Sequence, residues 1–155
     1  MPKASIKKLI NCKKEDLINM VLDIEKYPEF VPWCLKGKIH KKEERTDVIE
    51  IEADLKVGKR FFNQTYKSFV TYYKNKDKII VNNIEGPLKH LKNEWKFQET
   101  NNGCILNFEI DFELKNSLNK FINSILNSIM KNSFDIGFDK IAKAFEKRAF
   151  NIVNN

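Results

Sequence analysis

Residues 49–57 read Ile49-Glu50-Ile51-Glu52-Ala53-Asp54-Leu55-Lys56-Val57, with every apolar side chain at an odd number and every charge at an even one. Successive side chains of an extended strand point to opposite faces, so this stretch has one apolar and one charged face. Such a strand belongs to an antiparallel sheet covered on one side, because a parallel sheet buries both faces. Residues 104–114 repeat the pattern: Cys104, Leu106, Phe108, Ile110, Phe112 and Leu114 alternate with Ile105, Asn107, Glu109, Asp111 and Glu113. On that parity the three carboxylates face solvent and do no acid/base work.

Weaker strands fill the intervals. Residues 60–73 are aromatic and β-prone, 78–84 are short, and 88–99 carry Trp95 and Phe97 on one face. Turn signals at Gly58, Lys76-Asp77, Gly86-Pro87 and Asn101-Asn102-Gly103 separate them at hairpin intervals. Residues 35–45 and the first ten residues supply two further strands, about seven in all. Residues 13–24 place Leu17, Ile18, Val21, Leu22 and Ile24 at helical spacing. Tyr27-Pro28 ends that run, because the residue before a proline is pushed out of the helical region. Residues 117–152 carry the longest apolar stripe, and an unbroken helix there would run roughly 50 Å. A sheet with one apolar face needs a cover, and only this last segment is long enough. The expected class is α+β: a curved antiparallel sheet on a long C-terminal helix, with one or two short helices after the first strand. A cavity opens where sheet and helix diverge.

The 155 residues contain no linker, charge block or repeat, which predicts a single domain over 1–155. No apolar run approaches the roughly 18 residues of a membrane-spanning helix. Residues 1–10 hold three lysines and no apolar stretch, which predicts no secretory signal. Cys12, Cys34 and Cys104 are odd in number and never in a CxxC spacing, so neither a disulfide framework nor a zinc site is expected, and the cytoplasm is the natural compartment. Lys+Arg number 28 against 21 Asp+Glu, a formal charge of +7, and only Arg45, Arg60 and Arg148 are arginine. Lysines attract an anionic surface without the bidentate fork that reads bases, so membrane and RNA backbone stay equally open. His40 and His90 lack metal-ligand neighbours, and no nucleophile or nucleotide motif is present, so neither a metal site nor a catalytic residue is expected.

Four segments carry a family signature: LDIEKYPEFVPWC at 22–34, ADL at 53–55, EGPLKHLKNEWKF at 85–97, and FEIDFEL at 108–114 with AFEKRA at 144–149. Together they resemble the coenzyme-Q-binding START-domain family, grouped with polyketide cyclase/dehydrase-like proteins and the bacterial ribosome association toxin. Two positions depart from the third motif, where Leu88 stands for an aromatic and Asn93 for a glycine. The resemblance implies a START-like helix-grip fold that binds a prenyl quinone such as ubiquinone, or a similar lipid, without chemistry of its own. Its role would be that of a binder or chaperone in respiratory electron transfer, with no required cofactor. It implies a competing role as well, binding the large ribosomal subunit to block translation initiation. A cyclase-like enzyme is the third reading.

On that basis the cavity lining is expected from Trp33, Leu55, Phe62, Trp95, Phe97, Phe108, Ile110, Phe112, Phe134, Phe138 and Phe145. The periodicity alone does not separate a filled core from a lined cavity, and a tryptophan in a small domain is more often core. Tyr27, Pro28, Phe30, Pro32, Gly86 and Pro87 are expected at a lid or mouth; their plainer reading is backbone punctuation. Lys36, Lys38, Lys41 and Lys42 form the densest basic patch. They either guard an edge strand or dock to anionic lipid or ribosomal RNA, at the cytoplasm or the inner membrane face. The surplus apolar width of the last helix would suit a membrane contact or a homodimer.

Overall fold

Seven strands and one short α-helix account for the residues that the computed structural model describes, 3–31, 34–59, 62–85 and 88–114, with the pieces 143–144 and 147–148. The chain runs β1 (Lys3–Ile10), α1 (Lys14–Leu22), a 3-10 turn (Ile24–Glu29), β2 (Cys34–Glu44), β3 (Val48–Lys59), β4 (Phe62–Tyr73), β5 (Lys78–Glu85), β6 (Leu88–Thr100) and β7 (Gly103–Leu114). The strands lie in the order β1-β7-β6-β5-β4-β3-β2, and every neighbouring pair is antiparallel. β1 and β2 are close in sequence yet occupy opposite edges, so α1 and the 3-10 turn must carry the chain across the sheet.

Register carries the β3 parity through the whole sheet, because residues directly opposite each other share a face. Ile49, Ile51, Ala53 and Leu55 stand opposite Tyr72, Val70, Ser68 and Tyr66. Tyr72, Val70 and Ser68 then stand opposite Ile79, Val81 and Asn83. Ile79 and Val81 meet Trp95 and Asn93, which meet Phe108 and Ile110 on β7. These residues form one inward face. The opposite face carries ion pairs such as Lys67–Glu52 at 2.9 Å and Lys78–Glu94 at 3.0 Å.

α1 covers one end of the inward face. Leu17, Ile18, Met20, Val21 and Leu22 are buried against a core that includes Ile10, Ile49, Ile51, Val70, Ile79, Phe97, Cys104 and Leu106. Burying each large aliphatic side chain contributes about 1.5–3 kcal/mol, so this contact holds the helix. Asp77, left-handed at φ 48°, fastens its first turn: Lys14 Nζ lies 3.2 Å from the carboxylate, and the Asp77 carbonyl accepts the Phe97 N–H at 3.0 Å.

The helix ends earlier than the sequence predicts. Asp23 leaves the helical region at φ −84°, ψ 65°, and the chain tightens into the 3-10 turn, where the Lys26 N–H donates to the Asp23 carbonyl at 3.0 Å. Pro28, expected as the stop, falls inside that turn. Its missing N–H does no harm in so short a turn. The expected long helix over 117–152 lies outside the described residues, apart from 143–144 and 147–148, which are helical. No helix among the described residues is long and apolar enough to cross a membrane.

Two glycines decide how segments approach. A Cβ on Gly37 would sit on the Ile24 carbonyl oxygen, so the 3-10 turn packs on β2 only because position 37 has no side chain. Gly103 has φ 141° and its missing Cβ faces the Ile10 carbonyl, which lets the β6–β7 hairpin meet the end of β1. We expect Gly37→Ala to lower stability by about 2 kcal/mol or more, through backbone displacement in a packed contact. Urea unfolding measures this; an unchanged midpoint would show that the turn yields freely.

All three cysteines are free and buried. Burial pushes the Cys12 and Cys34 thiols up to about 11 and raises that of Cys104 as well. A pKa raised by folding means stability that is complete below the unfolded-thiol value, about 8.5, and is lost as pH climbs toward the folded value. Unfolding midpoints should therefore be flat from pH 7 to about 8.5 and fall steadily above about 9. In parallel, a chromogenic disulfide reagent at pH 8 should modify native protein at least roughly tenfold more slowly than unfolded protein.

Candidate functional site

The inward face changes character along the strands. Beneath α1 it is sealed: Ile51 and Ile79 are wholly buried, and Ile49, Val70, Phe97 and Leu106 nearly so. Toward the hairpin that joins β3 to β4, Leu55, Val57, Tyr66, Ser68, Val81, Asn83 and Asn93 are only half-buried. These inward-pointing residues keep partial solvent access, unlike the filled core beneath α1. Two small side chains, Ala53 and Ser68, stand opposite each other in the middle of this face.

Aromatic rings form the wall on the β6–β7 side. The Trp95 and Phe108 rings lie 4.5 Å apart at a tilted 57°, with Ile110 and Phe97 buried beside them. The Trp95 indole N–H donates to Asn93 Oδ1 at 2.9 Å, so the ring is held by a hydrogen bond as well as by packing. Tyr66, Ser68, Asn83 and Asn93 give this face a polar strip. Burial raises the Tyr66 phenol to about 12, and it stays a neutral hydroxyl at physiological pH. Over residues 49–57, 66–72, 79–83, 93–97 and 104–110 no inward position carries a charged side chain. Along these described positions the face is apolar with neutral hydroxyl and carboxamide groups.

The 3-10 turn borders this face and is fastened at several points. The Tyr27 hydroxyl donates to the Val21 carbonyl, and burial raises its pKa well above the usual phenol value. Tyr27 and Phe30 meet edge-on with centroids 5.9 Å apart. Arg148 lies over the Phe30 ring at 5.4 Å and 3.7 Å from Glu29 Oε1, which ties a late segment of the chain to the turn. A cavity of about 160 Å³ lies between α1 and this turn, lined by Asp16, Asn19, Met20, Asp23, Lys26, Phe30 and Arg148. It is too small for a lipid. A larger groove of about 850 Å³ at the sealed end is lined by polar residues, Asn11 and Asn101 among them, and does not fit an apolar ligand.

Of the four lysines expected as one patch, Lys36, Lys38 and Lys41 share the outward face and Lys42 does not. β-bulges at Leu35 and His40 shift the parity of β2, so Lys36 and Lys38 lie on the outward face while Lys42 stands opposite the inward Ile51. Lys41 is paired with Glu43 at 3.3 Å. Lys36 instead stands directly opposite Lys56, a like-charge pair at the sheet edge, and the bulged Leu35 beside it is 49% exposed. His40 is exposed and paired with Asp54 at 2.7 Å.

Of the expected lining, Leu55, Trp95, Phe97, Phe108 and Ile110 do share the inward face. Phe62 and Phe112 are placed by backbone register alone, opposite Lys59 and Leu91. Trp33, Phe134, Phe138 and Phe145 lie outside the described residues, as do Pro32, Gly86 and Pro87 of the expected mouth; Tyr27 and Phe30 are half-buried and Pro28 exposed. Sequence reasoning missed the polar strip and Gly37. The one available signal was Asn93, which replaces a motif glycine.

Several known proteins share this architecture. The chain is 28% identical over 148 residues to the ribosome association toxin RatA of Rickettsia prowazekii, covering 94% of each. It is 37% identical over 82 residues to the mitochondrial coenzyme Q-binding protein COQ10 of Dictyostelium discoideum, which spans 52% of this chain and 38% of that protein. A START superfamily protein from Mycobacterium smegmatis superposes with a TM-score of 0.73 at 17% identity, over 97% of this chain and 98% of its own. The Zhui aromatase/cyclase from a Streptomyces species does so with a TM-score of 0.78 at 14% identity, over 98% and 95%. At those identities the structures show the fold alone, which is START-like. From residue 10 to residue 134 the sequence matches the family described as polyketide cyclase / dehydrase and lipid transport, and the chain belongs to that family.

Proposed function

We propose that this protein binds a neutral prenyl lipid, of which a ubiquinone-like quinone is the best fit, in the hollow of the inward face, and that it does so without catalysing a reaction. The observation that carries the reading is the stretch beyond α1, where half-buried Leu55 and Val81 join the buried Trp95, Phe108 and Ile110 on described central-strand positions without an inward charge. Apolar burial is the driving force. Each buried CH2 contributes about 0.8 kcal/mol, so two or three isoprene units suffice for useful affinity. The indole and phenyl rings suit a flat head. The protein would act as a binder or chaperone, needing no cofactor, in the cytoplasm or against the inner membrane face. The name of the Dictyostelium relative supports the ligand class.

A second reading has its own support, because the Rickettsia relative is similar along nearly the whole chain. Docking on the large ribosomal subunit would use the outward cations Lys36, Lys38 and Lys56. A cyclase-like activity, the third reading, lacks an inward acid or base among the described central-strand positions.

Mass spectrometry of an organic extract of the purified protein tests the first reading, with a prenyl lipid expected near one per chain. Leu55→Lys should remove that lipid while leaving the fold intact, because position 55 is half-buried and tolerates a charge that the ligand does not. An extract without lipid would discard the reading. Co-sedimentation with large ribosomal subunits that weakens steeply between about 50 and 200 mM salt would establish the second reading in its place.

A further inference from the structure

We propose that the β2 edge, where Leu35 stands among Lys36, Lys38 and Lys56, is a docking surface for the headgroup layer of an anionic phospholipid bilayer. This goes beyond the inward face and does not depend on what that face holds. The bulge at Leu35 builds the surface. Register passes from Cys34–Val57 to Lys36–Lys56, so Leu35 and Lys36 together oppose Lys56 alone. A bulge of this kind re-aims a side chain. Cys34 is buried, whereas Leu35 is 49% exposed. Among the described residues only one other large apolar side chain is as open, Leu9 on β1 at the opposite edge.

The cations around Leu35 lack partners. Lys36 and Lys38 are exposed and Lys56 is half-buried, and none of the three pairs with a carboxylate among the described residues. Lys36 faces Lys56 directly, so a bound anion relieves both. Two carboxylates border the patch, and each is engaged elsewhere: Asp54 contacts His40 at 2.7 Å, and Glu25 accepts the Ile39 N–H at 3.2 Å. Lys67, which stands opposite Asp54, is paired with Glu52.

Three ammonium groups around one exposed leucine match the layering of a bilayer. The lysines meet phosphates, and Leu35 reaches the acyl boundary beneath them. A nucleic acid would satisfy the lysines and leave Leu35 in water, because leucine has no ring on which a base can stack. The leucine decides for the bilayer. Lys56 lies between the half-buried Leu55 and Val57, so the docked membrane meets the sheet at the end away from α1.

Co-flotation with vesicles of phosphatidylcholine, alone or mixed with phosphatidylserine, tests this at low ionic strength. The wild-type protein should bind the mixed vesicles at least about tenfold more tightly, since each lysine near an anionic surface contributes roughly fivefold. Lys36→Glu should lower that affinity about fivefold or more, and Leu35→Ser by a similar factor. Both positions are exposed, so the thermal midpoint should stay near wild type. The same changes made elsewhere on the surface, Lys13→Glu and Leu9→Ser, should shift affinity by no more than about twofold. Equal wild-type binding to both vesicle types, or control variants that lose as much as their counterparts, overturns the docking surface. So does wild-type affinity in Leu35→Ser. Polyuridylate binding that Lys36→Glu abolishes and Leu35→Ser leaves intact, without vesicle binding, assigns the lysines to RNA and overturns it as well. None of these outcomes bears on lipid held by the inward face, which the organic extract reads.

Discussion

A nine-residue helix cannot cover a sheet whose strands run to twelve and thirteen residues, and the rest of this molecule follows from that mismatch. At 1.5 Å per residue α1 is roughly 14 Å long, whereas a twelve-residue strand extends about 40 Å. The helix therefore covers only one end of the inward face. Leu17, Val21 and Leu22 close over Ile51, Ile79 and Leu106, while Leu55, Val81 and Asn93 stay half-open.

Position matters as much as length. The chain must pass from the β1 edge to the β2 edge between residues 10 and 34, and the ties at Asp77 hold the crossing at the sealed end. Gly37 then lets the 3-10 turn settle on β2. The Tyr27 and Phe30 rings, with Arg148 above Phe30, keep that turn in place. An exposed pair of this kind contributes about 1 kcal/mol at most, so the turn is held mainly by its packing.

The legible parts of the fold were those where one strand shows its own alternation. β3 and β7 read directly from the sequence, and their inward rows are the observed ones. β4 was not readable, because Tyr66, Phe69, Val70, Tyr72 and Tyr73 put large side chains on both parities. Only pairing with β3 settles that Tyr66 and Ser68 face inward while Phe69 stands opposite Glu52. β2 misled for a different reason. Bulges at Leu35 and His40 leave no mark in composition, yet each flips the face of everything after it. Lys42 is thereby parted from Lys36, Lys38 and Lys41, which keep the outward face. The end of α1 was misplaced because Pro28 is compatible with a 3-10 turn as well as with a stop.

The same division of faces removes an apparent conflict between the two functions suggested by the relatives. The hollow belongs to the inward face of β3 to β7, while Lys36, Lys38 and Lys56 project from the outward face at the β2 edge. Lys36 and Lys56 stand opposite each other, an arrangement that costs a few tenths of a kcal/mol or more in a sheet and is relieved by any nearby anion. Other outward charges are paired, among them Lys67–Glu52 and Lys78–Glu94. The exposed Leu35 lies beside the Lys36–Lys56 pair, on the strand against which the 3-10 turn rests. An anionic surface bound there would leave the hollow unobstructed. The two proposed readings therefore call on different faces: Leu55 belongs to the first, and Lys36 and Lys56 to the second.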